Sequence, residues 1–112
     1  MNDPSAEPIV VLMTAANYSE ASRIAELLVE ARLAACVQLL PEIQSIYRWE
    51  GRIANATEVL LLAKTAKSQF DELVKSVTAI HSYDTPEIIA LPITAAAEPY
   101  LKWLLGSFSE GS

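Results

Sequence analysis

The chain has 112 residues, enough for one domain and too few for two independent cores. Hydrophobic residues make up 52% and charged residues 20%, with only three glycines, which excludes a disordered, collagen-like or low-complexity chain. The formal charge is -6, and the eight Lys and Arg residues are scattered from Arg23 to Lys102 without a basic run, so neither nucleic acid nor an acidic membrane surface is an expected partner.

Pro8 precedes a β-branched apolar run over residues 9–15 that reads as a central strand, apolar on both faces. Asn17 stands three residues before Glu20 as cap and capping partner, and Ile24, Leu27, Leu28 and Ala31 follow at helical spacing. After Arg32 the period changes to two, through residues 34–40 and then Ile43, Ser45, Tyr47 and Trp49. Pro41 interrupts this run and cannot donate to a ladder, so a bulge or bend is expected there. Glu50-Gly51 supplies turn chemistry, and residues 57–65 run back. The resulting hairpin has arms about twice the usual strand length of five or six residues.

Ser68 followed by Asp71 reads as a capped start to a second amphipathic helix carrying Phe70, Leu73, Val74, Val77 and Ile80, and ending near His81. A polar loop leads to a fourth strand over 87–94, where Pro92 indicates an edge or bulge. Pro99 suits the first turn of a short third helix that ends near Gly106. The order strand-helix-strand-strand-helix-strand predicts an α+β, ferredoxin-like domain with both main helices on one sheet face. The other face would be bare and the hairpin would outreach its own core, so a homo-oligomer is expected.

Few residues offer chemistry. Cys36 is the only cysteine and sits on a buried-type strand, where a thiol packs as a small hydrophobe; it rules out an internal disulfide and fits a reducing compartment. His81 is the only histidine, at a helix end beside Tyr83, Asp84 and Glu87. One His and one Cys cannot fill a closed four-ligand zinc site, although Met13 at the end of the first strand would suit a soft ion such as Cu(I). Tyr47, Trp49, Tyr83, Tyr100 and Trp103 are amphipathic aromatics of the kind enriched at interfaces. Phosphate loops, HExxH and G-x-S-x-G motifs are absent. An acylphosphatase-like hydrolase would need an anion cradle with an arginine, which residues 15–18 after the first strand do not supply. A non-enzymatic protein is expected.

Leu33-Ala34-Ala35-Cys36-Val37, then Ile46-Tyr47-Arg48-Trp49-Glu50-Gly51, then Glu58 through Lys64-Thr65, and finally His81-Ser82-Tyr83 with Pro86-Glu87-Ile88 resemble the divalent-cation tolerance family, CutA. The resemblance implies a ferredoxin-like protomer in a homotrimer held by long hairpins, similar in architecture to PII-type signalling proteins. It also implies a cytoplasmic role in tolerance of copper and other divalent cations, without a required cofactor. Where metal-liganding members use a cysteine after strand one and adjacent histidines, this chain has Met13, Ile80 and His81. His81-Ser82-Tyr83 replaces a His-Pro-Tyr, and Ala96 replaces a loop glycine.

Residues 1–7 and 109–112 are expected to be tails flanking one domain over 8–108. The expected metal candidates are His81 and Met13. Cys36, Tyr47, Trp49, Lys64, Tyr83, Glu87 and Trp103 are expected at inter-subunit clefts or interfaces. The leading expectation is a trimer that binds a metal ion or small ligand in those clefts. The alternative is a structural or interaction scaffold without direct metal binding.

Overall fold

Residues 6–108 are described by the computed structural model; residues 1–5 of the tail expected over 1–7, and the tail expected over 109–112, lie outside them. In order, the chain forms β1 (Pro8–Ala15), α1 (Tyr18–Glu30), β2 (Cys36–Trp49), β3 (Arg52–Ala66), α2 (Phe70–Ile80), β4 (Ile88–Pro92) and α3 (Glu98–Gly106). The four strands make one antiparallel sheet in the order β2-β3-β1-β4. This is the ferredoxin-like βαββαβ arrangement with an added C-terminal helix. At the N-terminal boundary the Glu7 carbonyl accepts the Lys67 N–H at 2.8 Å.

Local chemistry explains the elements. Asn17 caps α1 by accepting the Glu20 N–H at 2.8 Å. The helix ends in a Schellman motif: Arg32 takes a left-handed φ of 60°, the Leu33 N–H reaches the Leu28 carbonyl and the Arg32 N–H reaches the Val29 carbonyl. The Arg32 guanidinium also donates to the Ser107 carbonyl, tying the end of α3 to this turn. At α2 the structure differs from expectation. Ser68 caps nothing; a 3-10 turn over Lys67–Gln69 feeds the helix without a side-chain cap. Asp71 and Glu72 in the first turn instead meet the helix dipole. β4 is also shorter than the expected 87–94, running over Ile88–Pro92 at a sheet edge that tolerates Pro92, with the Ile93 N–H still reaching the Pro8 carbonyl at 3.1 Å.

The β2-β3 hairpin sets the shape of the protomer. Residues 59–66 of β3 pair with β1, and 60–64 of them with β2 as well, whereas 52–58 pair with β2 alone. The outer part is therefore a two-stranded ribbon projecting roughly 20 Å, and the protomer measures 49 × 25 × 22 Å. Leu40 pairs with Leu60 and Ile43 with Glu58, so Pro41 and Glu42 together face Val59. That is the bulge expected at Pro41, where no N–H is available for the ladder. Trp49 and Arg52 close the ribbon around a two-residue turn, with Glu50 and Gly51 at φ of 50° and 77°, the all-positive pattern that matches strand twist.

Core packing uses one sheet face. Ile9, Val11, Met13, Val59, Leu61 and Ala63 meet Ala21, Ile24 and Leu28 of α1 and Leu73 and Val77 of α2, and each fully buried large side chain contributes about 1.5–3 kcal/mol. On the opposite face the register aligns Val10, Leu12, Leu60, Leu62, Lys64, Cys36, Gln38, Leu40, Ile89 and Leu91. This face is not as bare as expected. α3 folds back against β1 and β3, and Leu104 is buried apart from the helix-side core. Leu40, Ile89 and Leu91 stay exposed, as do Ile46, Trp49 and Ile53 on the ribbon, at 68%, 64% and 69%.

Gly51 has nothing within 4 Å of a built Cβ, so replacing it costs backbone strain alone. Gly51→Ala should lower stability by about 1 kcal/mol, read from urea denaturation, whereas Glu50→Asn should not lower it.

Candidate functional site

The polar loop after α2 closes over the end of β1, and there a relay of hydrogen bonds, joined through the backbone of residues 81–83, runs from Glu20 to Glu58. Glu20 enters it from the first turn of α1, its side chain only 5% exposed. One carboxylate oxygen accepts the Ala16 N–H at 2.9 Å and the Ser82 hydroxyl at 3.1 Å. The other accepts the Ser82 N–H at 2.6 Å. The expected capping partner thus reaches one residue further back than Asn17, and across to the α2-β4 loop.

His81 follows α2 directly, and its ring is fully enclosed, at 0% exposure. Its Nε2 lies 2.7 Å from the Thr14 carbonyl, which can only accept, so Nε2 carries the proton. Nδ1 accepts the Tyr83 N–H at 3.0 Å and stands 3.9 Å from Glu20. Both ring nitrogens are engaged, and the ring packs against Tyr83 with centroids 4.8 Å apart.

Tyr83 then carries the relay to the hairpin. Its hydroxyl donates to Glu58 at 2.7 Å, and the other Glu58 oxygen accepts the Ser45 hydroxyl at 2.5 Å. Glu58 lies opposite Ile43, where the ribbon leaves the sheet. No buried side-chain polar atom lacks a partner among the described residues, so the relay is satisfied throughout.

Burial raises the Glu20 pKa, but the hydrogen bonds from Ala16 and Ser82 and the neighbouring His81 outweigh it, and the net shift is below the ordinary 4.5. For Tyr83, burial first and then the hydrogen bond and negative charge of Glu58 push the phenol well above its usual range. Tyr83 therefore remains an O–H donor at any physiological pH.

Other expected residues fall elsewhere. Met13 is fully buried in the core. Cys36 is free and half-buried on the second sheet face, in register with Lys64, and Lys64 donates to the Gln38 side-chain oxygen. Tyr47 and Trp49 are exposed on the ribbon, Trp103 is exposed on α3 beside Tyr100 with ring centroids 5.5 Å apart, and Glu87 is exposed. The structure joins His81 and Tyr83 and leaves Met13, Cys36 and Lys64 outside their relay. Thr14, Glu20, Ser45, Glu58 and Ser82 complete it without having been picked as site residues. Glu58 carried a signal, as the one acid of β3, directly before its apolar run; the other four looked like ordinary cap, strand and loop residues.

The donor set does not fit a metal held by one protomer. Among the described residues no group of three or more His, Cys, Asp and Glu side chains could hold an ion. A ligand at His81 would also have to displace Thr14 or Tyr83 from the ring.

The family profile described as CutA1 divalent ion tolerance protein matches residues 9–107. The chain belongs to the CutA1 family. The divalent-cation tolerance protein CutA of Thermus thermophilus is 48% identical over 95 residues, covering 85% of this chain and 92% of that one. Chloroplastic CutA of Arabidopsis thaliana is 44% identical over 99 residues, and there this chain spans only 54% of the relative's length. Among solved structures, CutA1 of Oryza sativa matches with a TM-score of 0.90 at 41% identity, covering 97% of this chain and 100% of that one. CutA of Archaeoglobus fulgidus, described as periplasmic, matches at 0.88 and 39%, covering 91% and 99%. The family's members thus carry names from more than one compartment. No helix of the described chain is long and apolar enough to cross a membrane.

Glu20 contributes stability above about pH 4.5, because its folded-state pKa lies below that value, and the contribution is lost as pH falls through the folded-state pKa. Glu20→Gln places an amide against the Ser82 and Ala16 donors and should cost about 1–3 kcal/mol at pH 7. It should also flatten the acid limb of stability against pH, as followed by denaturation between pH 3 and 7, roughly one unit or more on either side of an ordinary carboxylate pKa.

Proposed function

We propose that the chain acts as a CutA-type homotrimer in the response to divalent cations such as copper, with its ligand positions in clefts between subunits. The observation that carries this reading is the hairpin ribbon, which exposes Ile46 and Ile53 on one face and Tyr47 and Trp49 on the other. A two-stranded ribbon with apolar side chains on both faces is not stable alone in water. Copies of the same chain are the simplest cover, and three is the number the family resemblance implies. The insufficient donor set within one protomer supports the clefts over the protomer interior. It equally favours the scaffold reading, in which any cation response is indirect. Chemistry at these sites is binding without turnover, and no cofactor is required. The free Cys36 fits a reducing cytoplasm.

Light scattering coupled to gel filtration should give three times the protomer mass. Calorimetric titration with Cu(II) and Zn(II) should give heats for the native trimer. Trimers that give no heat with either ion would favour the scaffold reading, and a monomer would remove both.

A further inference from the structure

The ribbon leaves the body of the protomer at an interrupted ladder. Pro41 and Glu42 bulge opposite Val59, and the pair Ile43 and Glu58 is the first rung beyond the end of β1. A bulge is a place where a strand bends, and over roughly 20 Å of ribbon a swing of about 10° at the root moves the tip by roughly 3 Å. Two strands without a third neighbour do not hold such an angle by their backbone bonds alone.

Among the described residues, one side-chain hydrogen bond ties this root to the body: the Tyr83 hydroxyl donates to Glu58 at 2.7 Å. It acts on both strands at once, because the other Glu58 oxygen accepts the Ser45 hydroxyl of β2 at 2.5 Å. The Gln44 bond to Thr57, at 2.8 Å, stays inside the ribbon. Tyr83 itself is positioned from elsewhere. Its N–H is held by His81 Nδ1 and its ring lies against the His81 ring, while His81 Nε2 donates to the Thr14 carbonyl at the end of β1. Ser82, between them, is pinned to Glu20 of α1 through its N–H and its hydroxyl. The phenol therefore approaches Glu58 from a place set by α1 and β1, not by the ribbon. Burial first, and then Glu58, keep it protonated and donating.

We propose that the Tyr83 hydroxyl is a latch that sets the angle of the ribbon within each protomer before copies meet, with Tyr83 as the positioning residue and Glu58 and Ser45 as the catch on the two strands. A latched ribbon reaches a neighbouring copy already ordered, so association loses less conformational freedom than it would with a swinging one. Closure of the latch concerns a single protomer; its effect on association alone rests on the assembly proposed above.

The test compares native protein with Tyr83→Phe, which removes one oxygen and keeps the ring on His81. Amide hydrogen exchange is read at residues 43–57 with the β1 amides as internal reference, the mass is measured on every sample, and subunit exchange between isotope-labelled and unlabelled protein is followed by native mass spectrometry. Losing a hydrogen bond to a charged acceptor should speed ribbon exchange about tenfold and subunit exchange several-fold, with β1 changing less than about twofold. Tyr18→Phe, which removes an exposed hydroxyl from α1, should change none of these. Glu58→Leu should reproduce Tyr83→Phe, and the double variant should be no faster than the faster single one, because both delete the same bond. Should Glu58→Leu fail to fold, Glu58→Thr takes its place in that comparison.

Ribbon exchange left unchanged by Tyr83→Phe would overturn the latch. Equal acceleration of ribbon and β1 amides would overturn it too, since that marks a general loss of stability, as would additive effects in the double variant. A loosened ribbon with unchanged subunit exchange in intact oligomers would overturn its role in association. A protomer mass fails the assembly and leaves the ribbon comparison to decide the latch by itself.

Discussion

The pairing of β2 with β3 beyond the end of β1 is the constraint on which the rest of the structure depends. Inside the sheet each strand is held by neighbours and by two helices. Outside it, residues 43–49 and 52–58 have only each other as strand neighbours. Backbone hydrogen bonds between two strands do not keep such a ribbon ordered in water; side-chain burial must. The bulge at Pro41 and Glu42 sits where the ribbon leaves the sheet, and the added twist there re-aims the outer half of the hairpin. The large apolar side chains beyond that point, Ile46, Tyr47, Trp49 and Ile53, are left exposed by the chain's own fold.

The relay from Glu20 to Glu58 fixes the root of this ribbon to the body of the protomer. It joins α1, the end of β1, the loop after α2 and the hairpin through part-buried hydrogen bonds, with the Glu20 and Glu58 carboxylates buried at its two ends. A buried carboxylate is tolerated at each end because each has its acceptor positions filled. His81 serves as an orienting group in this arrangement. With Nε2 on Thr14 and Nδ1 on the Tyr83 N–H, it sets the position from which the Tyr83 hydroxyl reaches β3. The lone histidine of the chain is therefore occupied structurally at the place where a ligand role was expected.

Much of the fold was legible in the sequence because its signals are local. The β-branched run at 9–15, the Asn17 cap, the bulge at Pro41, the Glu50-Gly51 turn and the helix started by Pro99 each declare themselves within a few residues. The start of α2 did not, because a 3-10 turn replaced the cap that Ser68 offered. The return of α3 across β1 and β3 was also hidden, since a short amphipathic helix does not say which surface it will cover. The relay was the least legible part. Tyr83 and Glu58 are 25 residues apart and Glu20 and Ser82 are 62 apart, and nothing in local periodicity announces contacts set by the packing of four separate elements. Family motifs pointed to His81 and Tyr83 but gave no account of what each touches.

Native-state hydrogen exchange at the paired amides of residues 43–57 tests most directly whether the ribbon lives in an interface. If copies cover it, those amides exchange as slowly as the β1 and β3 core amides and speed up on dilution below the assembly's dissociation constant. Exchange at rates close to those of an unstructured peptide, in protein whose sheet core stays protected, would contradict a covered ribbon and the assembly built on it.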